Sequence, residues 1–170
     1  MAFIGEGTQG VIYAPGYFLA HEECVRKTRE ISAEGAETGA NGGKYVPMGS
    51  VYPANDGTAE GIVYEDVDVT DGNMPGSVVL SGVVYEDRLA DAVDTYSSAT
   101  VASGGNPKEL GLYERSGSSP NYVYTLTTDT TVTEGTTYYS YDGKQIASAA
   151  KTALEAKGFV FVTEPTVIRP

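Results

Sequence analysis

The apolar positions of this chain fall mostly in short runs of β-branched and aromatic residues broken by glycine, proline and asparagine, the pattern of strands joined by turns. The pattern is densest over residues 61–90, where one phrase occurs twice: Gly61-Ile62-Val63-Tyr64-Glu65-Asp66, then Gly82-Val83-Val84-Tyr85-Glu86-Asp87. Each copy starts at a glycine, runs through strand-forming residues and ends in adjacent acids, as a strand with a solvated end does. Between them, Asp71-Gly72-Asn73-Met74-Pro75-Gly76 marks a chain reversal. The two copies are therefore expected to pair as a β-hairpin. With the reversal between Asn73 and Met74, Glu65 lies opposite Gly82 and Glu86 opposite Gly61, and Asp87 meets Glu60 only at the open end, so like charges are kept apart.

Outside this centre, Glu22–Ser32 reads as a half-exposed strand anchored by Val25 and Ile31 and carrying the one dense basic cluster, Arg26, Lys27 and Arg29. Residues 35–43 are rich in Gly, Ala and Asn and read as a loop. Lys44–Met48 and Val51–Pro53 read as short strands that proline confines to edges or strand starts, with a turn at Asn55-Asp56-Gly57. Residues 91–120 turn to Ser, Gly, Ala and Asp; short strands are expected at Leu110–Glu114 and Tyr122–Thr127, joined by Ser116-Gly117-Ser118-Ser119-Pro120, and Tyr138–Tyr141 closes the stretch. A helix is expected over 143–157. Asp142 and Gln145 have capping-box spacing; Ile146, Ala149, Ala150, Ala153 and Leu154 form an apolar stripe; Gly158 stops it. Phe159–Val162 follows as a buried strand ended by Glu164-Pro165.

Residues 1–20 are apolar and aromatic, nearly uncharged, and without a clear period. They read as an arm that docks on another surface, with Phe3, Ile4, Val11, Ile12, Tyr13, Tyr17, Phe18 and Leu19 as its contact residues; the alternative is a first strand tucked under the domain. The division expected is an arm over 1–20, a β domain made of 21–90 and 143–170, and an inserted, surface-exposed β module over 91–142.

Composition narrows what such a protein does. A formal net charge of −12 with only eleven Lys and Arg offers no basic face for phosphates, which argues against a nucleic-acid partner. No run of about eighteen apolar residues is present, and the N-terminus lacks a charged region followed by an apolar one, which argues against membrane insertion and signal-dependent secretion. One cysteine, Cys24, excludes an intrachain disulfide framework. His21-Glu22-Glu23-Cys24 lacks the second histidine of a zinc-protease motif, since position 25 is Val. Asp66, Asp68 and Asp71 with Gly72 miss the calcium-loop spacing by one place, and position 77 is Ser where a terminal glutamate is needed. The two Tyr-Glu-Asp phrases sit at opposite ends of the expected hairpin, so their acids do not converge as an acid–base pair must. No metal, no cofactor and no enzymatic activity are expected.

The stretches Lys44-Tyr45-Val46-Pro47, Asn55–Val69 and Gly76–Leu89, with the terminal helix and Phe159–Val162, resemble the head decoration proteins of tailed bacteriophages, the lambda-type capsid-stabilising family. In that family a phrase "Gly-apolar-apolar-x-Glu-Asp-Val-Asp" is followed by a strand "Gly-x-Val-x-Glu-Asp-Arg-Leu". The resemblance covers roughly residues 25–90 and 143–162. It implies a mainly β protein, a small β-barrel-like domain with one C-terminal helix. It also implies a homotrimer on the outer surface of the virion, bound to the major capsid protein and stabilising the expanded head, after synthesis in the host bacterial cytoplasm. Residues 91–142 are longer than the family's usual connection, and within them the segment from Asn106-Pro107-Lys108-Glu109 through Tyr138-Tyr139 looks similar to small β modules in structural proteins of phages of Gram-positive hosts. Their tyrosines motivate a second reading, a carbohydrate- or host-surface-binding module displayed on the virion. A third, a hydrolase, would have to use Glu65 and Glu86.

Overall fold

The computed structural model describes residues 13–163. The protein is mainly β with one α-helix and divides into two compact units, one containing residues up to Ala92 and from Gln145 onward, the other Val93–Lys144. The insertion thus starts and ends two residues later than 91–142.

In the first unit, β1 (Leu19–Ile31), β4 (Val51–Tyr52), β5 (Gly61–Val63) and β7 (Met74–Tyr85) form a sheet in the order β1-β7-β5-β4, and β12 (Phe159–Val162) joins β7 in parallel. A smaller antiparallel sheet holds β2 (Glu37–Thr38), β3 (Lys44–Val46) and β6 (Val67–Asp68). The sheet ends at β1 and β4 without closing into a barrel. Adjacent residues of β5 and β7 are buried on opposite faces. Ile62 and Val79 enter a cluster with Phe18, Val84, Leu89, Leu154 and Phe159, while Val63 and Val78 enter one with Ile31, Val67 and Val69. The unbroken apolar pairs Ile62-Val63 and Val78-Val79 are what a strand covered on both faces requires.

The repeated phrase does not form the expected hairpin. Val63 pairs with Val78 and Ile62 with Val79, where the expected register would have set Ile62 against Tyr85. The second copy, Gly82–Tyr85, lies instead between β1 and β12, with Leu19 opposite Val84 and Phe161 beside it on the other side. Part of the chain linking the copies is drawn away, because Val67 and Asp68 pair with Val46 and Tyr45 of β3. The shift is by an even number of residues, so each side chain keeps its face. Gly61 shows why glycine opens the first copy: a Cβ there would lie 2.3 Å from the Val79 carbonyl oxygen, so only glycine lets these backbones approach.

The helix is shorter than expected, α1 running Ser148–Glu155. Asp142 is no cap, because it lies inside a strand that runs Tyr138–Gln145. The N–H groups preceding the helix are satisfied from elsewhere in the first unit, Ile146 donating to Glu86 (3.2 Å) and Ala147 to the Asn55 side chain (3.1 Å). These bonds stand in for a local cap. Most of the stripe faces the core, with Ile146, Ala150 and Leu154 buried and Ala153 packed beside them, but Ala149 is exposed because the shorter helix turns it to solvent; burying a leucine of this kind contributes roughly 1.5–3 kcal/mol. Gly158 ends the helix region at φ +96°. Glu164-Pro165 lies outside the described residues.

The second unit is one antiparallel sheet in the order β10-β9-β11-β8, built from β8 (Val93–Ala99), β9 (Tyr113–Ser118), β10 (Asn121–Leu126) and β11 (Tyr138–Gln145). Ser119-Pro120 makes a two-residue turn in which Ser118 faces Asn121. β9 starts three residues later and ends four residues later than the strand expected at Leu110–Glu114. The strand β8 has no counterpart in the sequence reading, since its apolar residues do not alternate cleanly and Val93 is 65 % exposed.

Candidate functional site

One acid from the end of each phrase, Asp66 and Glu86, and Asp91 beyond them act as pins for the fold. An Asp66 oxygen accepts from the Met48 N–H (2.7 Å), and Asp91 from the Val51 N–H (2.6 Å). Glu86 accepts from Ile146 and also pairs with the Lys151 ammonium at 2.5 Å. Asp56 and Asp68 each close a local turn onto a threonine two residues on, and these bonds hold both carboxyls below the usual range. Among the described residues no three His, Cys, Asp or Glu side chains gather as a metal would need. An open groove of about 510 Å³ carries Glu65, Asp66, Asp68 and Asp71, but these acids turn to local backbone or to solvent. His21 is exposed, and Cys24 is half-buried against the first core cluster.

Of the expected arm residues, Phe3, Ile4, Val11 and Ile12 lie outside the described residues. The other four are fixed to the first unit, and they divide by role. Phe18 is 0 % exposed in the core, and its carbonyl accepts from the Tyr85 N–H at 2.8 Å. Its ring is therefore closed to any partner, and the arm ends before it rather than at residue 20. Leu19 opens β1 and packs partly against the same cluster. Tyr13 and Tyr17 remain outside, stacked on each other with ring centres 3.9 Å apart. The Arg88 guanidinium lies 4.3 Å from the Tyr17 ring and 4.3 Å from the Tyr85 ring, and donates to the Tyr17 carbonyl at 3.0 Å. Cation–π contacts of this kind hold a ring in one orientation.

Gly16 fixes the turn ahead of Phe18. Its N–H donates to the Tyr64 carbonyl at 2.9 Å, its φ is +77°, and a Cβ would fall 2.5 Å from the Tyr64 ring. A side chain there would meet both the ring and the left-handed backbone. One side of β1 has no strand partner among the described residues; its pairing with β7 is regular over Arg26–Ile31 after a shift between Val25 and Arg26, Val25 is 52 % exposed, and Lys27 and Arg29 make no side-chain bond among the described residues. The sequence reading missed Arg88 and Tyr85 as the clamp on Tyr17. The signal was present in Tyr85-Glu86-Asp87-Arg88, but nothing local brings that phrase to residue 17.

In the second unit, cross-strand pairing sets Tyr113, Arg115, Tyr122, Tyr124 and Tyr139 on one face, with Tyr124 opposite Arg115 and Tyr139 opposite Tyr113. Tyr96 of β8 stacks on Tyr124 at 3.9 Å, and Tyr141 lies 5.4 Å from Tyr96. Burial raises the Tyr96 hydroxyl above its ordinary pKa, and a hydrogen bond to Asp94 (2.9 Å) does the same for Tyr141.

The opposite face is held by a small polar network. The Tyr138 hydroxyl donates to Asp129 at 2.6 Å, Thr133 donates to the same oxygen at 2.8 Å, and the Thr133 N–H donates to the Tyr138 oxygen at 3.1 Å. These bonds hold the Asp129 carboxyl below its ordinary 3.8, Tyr138 being the larger cause. A carboxyl whose folded pKa is depressed gives stability that is present above its unfolded value and lost as pH falls through the folded one. Near-UV melts between about pH 5 and about pH 2 are expected to show the second unit weakening below 3.8, and Asp129→Asn is expected to flatten that slope. An unchanged slope in the variant would remove Asp129 from the account.

Comparison with protein-family models, curated proteins and solved structures returns no match.

Proposed function

We propose that this protein is a structural component of a phage virion that binds the outer surface of the head as a trimer and stabilises the expanded shell, with the major capsid protein as its partner. The observation that carries this reading is the anchoring of the segment just before β1. Phe18 is locked in the core, Gly16 is held against Tyr64 by its N–H and its left-handed turn, and the exposed pair Tyr13–Tyr17 stands ahead of them in the chain, next in sequence to the apolar residues expected to form the arm. An anchor of this kind lets a short apolar arm act at a fixed place on each subunit, and a trimer multiplies weak arms into firm attachment. The side of β1 without a strand partner among the described residues supplies an edge to which a neighbouring strand can add, in a strand that carries Arg26, Lys27 and Arg29. The resemblance of residues 44–89 to head decoration proteins points the same way, and those residues build β3 to β7, the strands that carry both core clusters.

Attachment on this reading is the work of the first unit. Asn55 ties together the two chain ends that flank the insertion, its side chain donating to the Asp91 carbonyl (3.3 Å) and accepting from the Ala147 N–H (3.1 Å). Replacing 93–144 by a short glycine linker is therefore expected to leave a folded first unit that still decorates undecorated heads. The direct test is a particle reconstruction of heads saturated with the full chain. Copies grouped about three-fold positions are the expected result, and lone copies elsewhere on the shell would defeat the reading.

A further inference from the structure

The geometry points to a second binding site, on the tyrosine face of the second unit, that takes a polyhydroxylated chain, sugar or polyol, bearing an anion, with Arg115 as the group that recognises the charge. The Arg115 guanidinium lies 4.3 Å from the Tyr122 ring centre and 5.0 Å from that of Tyr139. The two rings are its diagonal neighbours across the sheet, so the fork is held in place by stacking. Arg115 is exposed and makes no ion pair or hydrogen bond through its side chain among the described residues. With no carboxylate paired to it among the described residues, and with its fork fixed between two rings, the Arg115 guanidinium is available to an anion from outside. The nearest acid in sequence, Glu114, points to the opposite face and accepts from the Thr127 hydroxyl.

The surroundings fix the chemistry of the occupant. From Arg115 the rings continue through Tyr139, Tyr124 and Tyr96 to Tyr141, and the outer two, Tyr122 and Tyr141, stay 40 % and 46 % exposed. Exposed tyrosine rings offer flat apolar faces with polar rims, which suit the C–H face and hydroxyls of a pyranose. The guanidinium fork suits a carboxylate or phosphate carried on that sugar. A nucleic-acid strand fits less well, since one arginine cannot follow a phosphate backbone and the protein's net charge of −12 repels it. The carboxylate could belong to a uronic acid and the phosphate to a polyol-phosphate polymer. The chemistry common to both is a hydroxylated chain with one anion per repeat. This site is independent of head attachment, which the preceding section gives to the first unit.

The test is calorimetric titration of the full-length protein with three probes: a hyaluronan hexasaccharide, a glycerol-phosphate oligomer and neutral chitohexaose. At least one anionic probe is expected to bind, more weakly as salt is raised, with the neutral probe far behind; which anionic probe wins identifies the anion. Arg115→Ala is expected to weaken that binding by about 10- to 100-fold. Arg115→Lys, which keeps the charge and loses the planar fork, should also weaken it. Tyr122→Ala should do the same, and Lys157→Ala, in the first unit, should not. Circular dichroism confirms that each variant is folded. Absence of binding to both anionic probes, equal binding of the neutral one, or an Arg115→Ala variant that binds like the wild type would overturn the proposal. Attachment of Arg115→Ala to undecorated heads is expected to equal that of the wild type, so failure of the sugar site and failure of the head-binding reading give different results.

Discussion

Phe18→Ala is expected to lower the unfolding free energy of the first unit by about 3–5 kcal/mol. The ring is wholly buried among Ile62, Val79, Val84, Leu154 and Phe159, which come from both parts of the chain that build this unit. Truncation removes the apolar area and leaves a hole that side chains from a strand pair, a helix and a parallel strand cannot all close at once. Tyr17→Ala, one residue earlier and 36 % exposed, should cost about 1 kcal/mol or less, since it forfeits only a stacked ring and the Arg88 contact. Urea unfolding of both variants measures the difference. A loss below about 1 kcal/mol for Phe18→Ala would mean that the segment before β1 is not part of the core.

Removal of residues 1–12 is expected to leave the protein folded and to reduce its affinity for undecorated heads by more than about 100-fold per subunit. The apolar side chains removed, Phe3, Ile4, Val11 and Ile12, are worth roughly 1.5–3 kcal/mol each when fully buried, so losing two of them as contacts already accounts for that factor. The length of the deletion decides what is learned. Cutting after residue 12 spares Gly16 and Phe18, whereas cutting after residue 20 also removes a core ring and the start of β1, and loss of binding would then report unfolding. Binding is measured by sedimentation with heads, alongside circular dichroism. A folded 1–12 deletion that decorates with undiminished affinity would show that the attachment surface lies elsewhere, the unpaired side of β1 being next to test.

Some of this architecture can be read directly from the residues. Ile62-Val63, Val78-Val79 and Phe159–Val162 identify themselves as strands because apolar β-branched and aromatic runs between turn signals leave few alternatives. The turn at Asp71-Gly72 is also local chemistry, with Gly72 at φ +120° and its N–H donating to the Val69 carbonyl. The core face of α1 follows from the spacing of Ile146, Ala150 and Leu154. The change of composition near residue 91 marks the second unit to within two residues. On the candidate sites, the cluster of tyrosines and the apolar character of the N-terminal segment were legible, whereas the places of Arg115 and Arg88 were not.

What the tertiary structure alone decided are the choices among partners. Main-chain donors and acceptors are the same in every strand, so nothing in Gly82-Val83-Val84-Tyr85 states that it will pair with β1 and β12 rather than with its own earlier copy. That choice was made by burial summed over distant elements, and it moved the register by an even step that the alternation of side chains tolerates. The helix start shows the same logic: Asp142 had the spacing of a cap, but strand β11 took residues through Gln145, and Glu86 and Asn55 supplied the acceptors from far along the chain. Phe18 turned inward for an equally non-local reason, since an apolar segment without period is silent about direction until a cavity lined by β7, α1 and β12 exists to receive its ring.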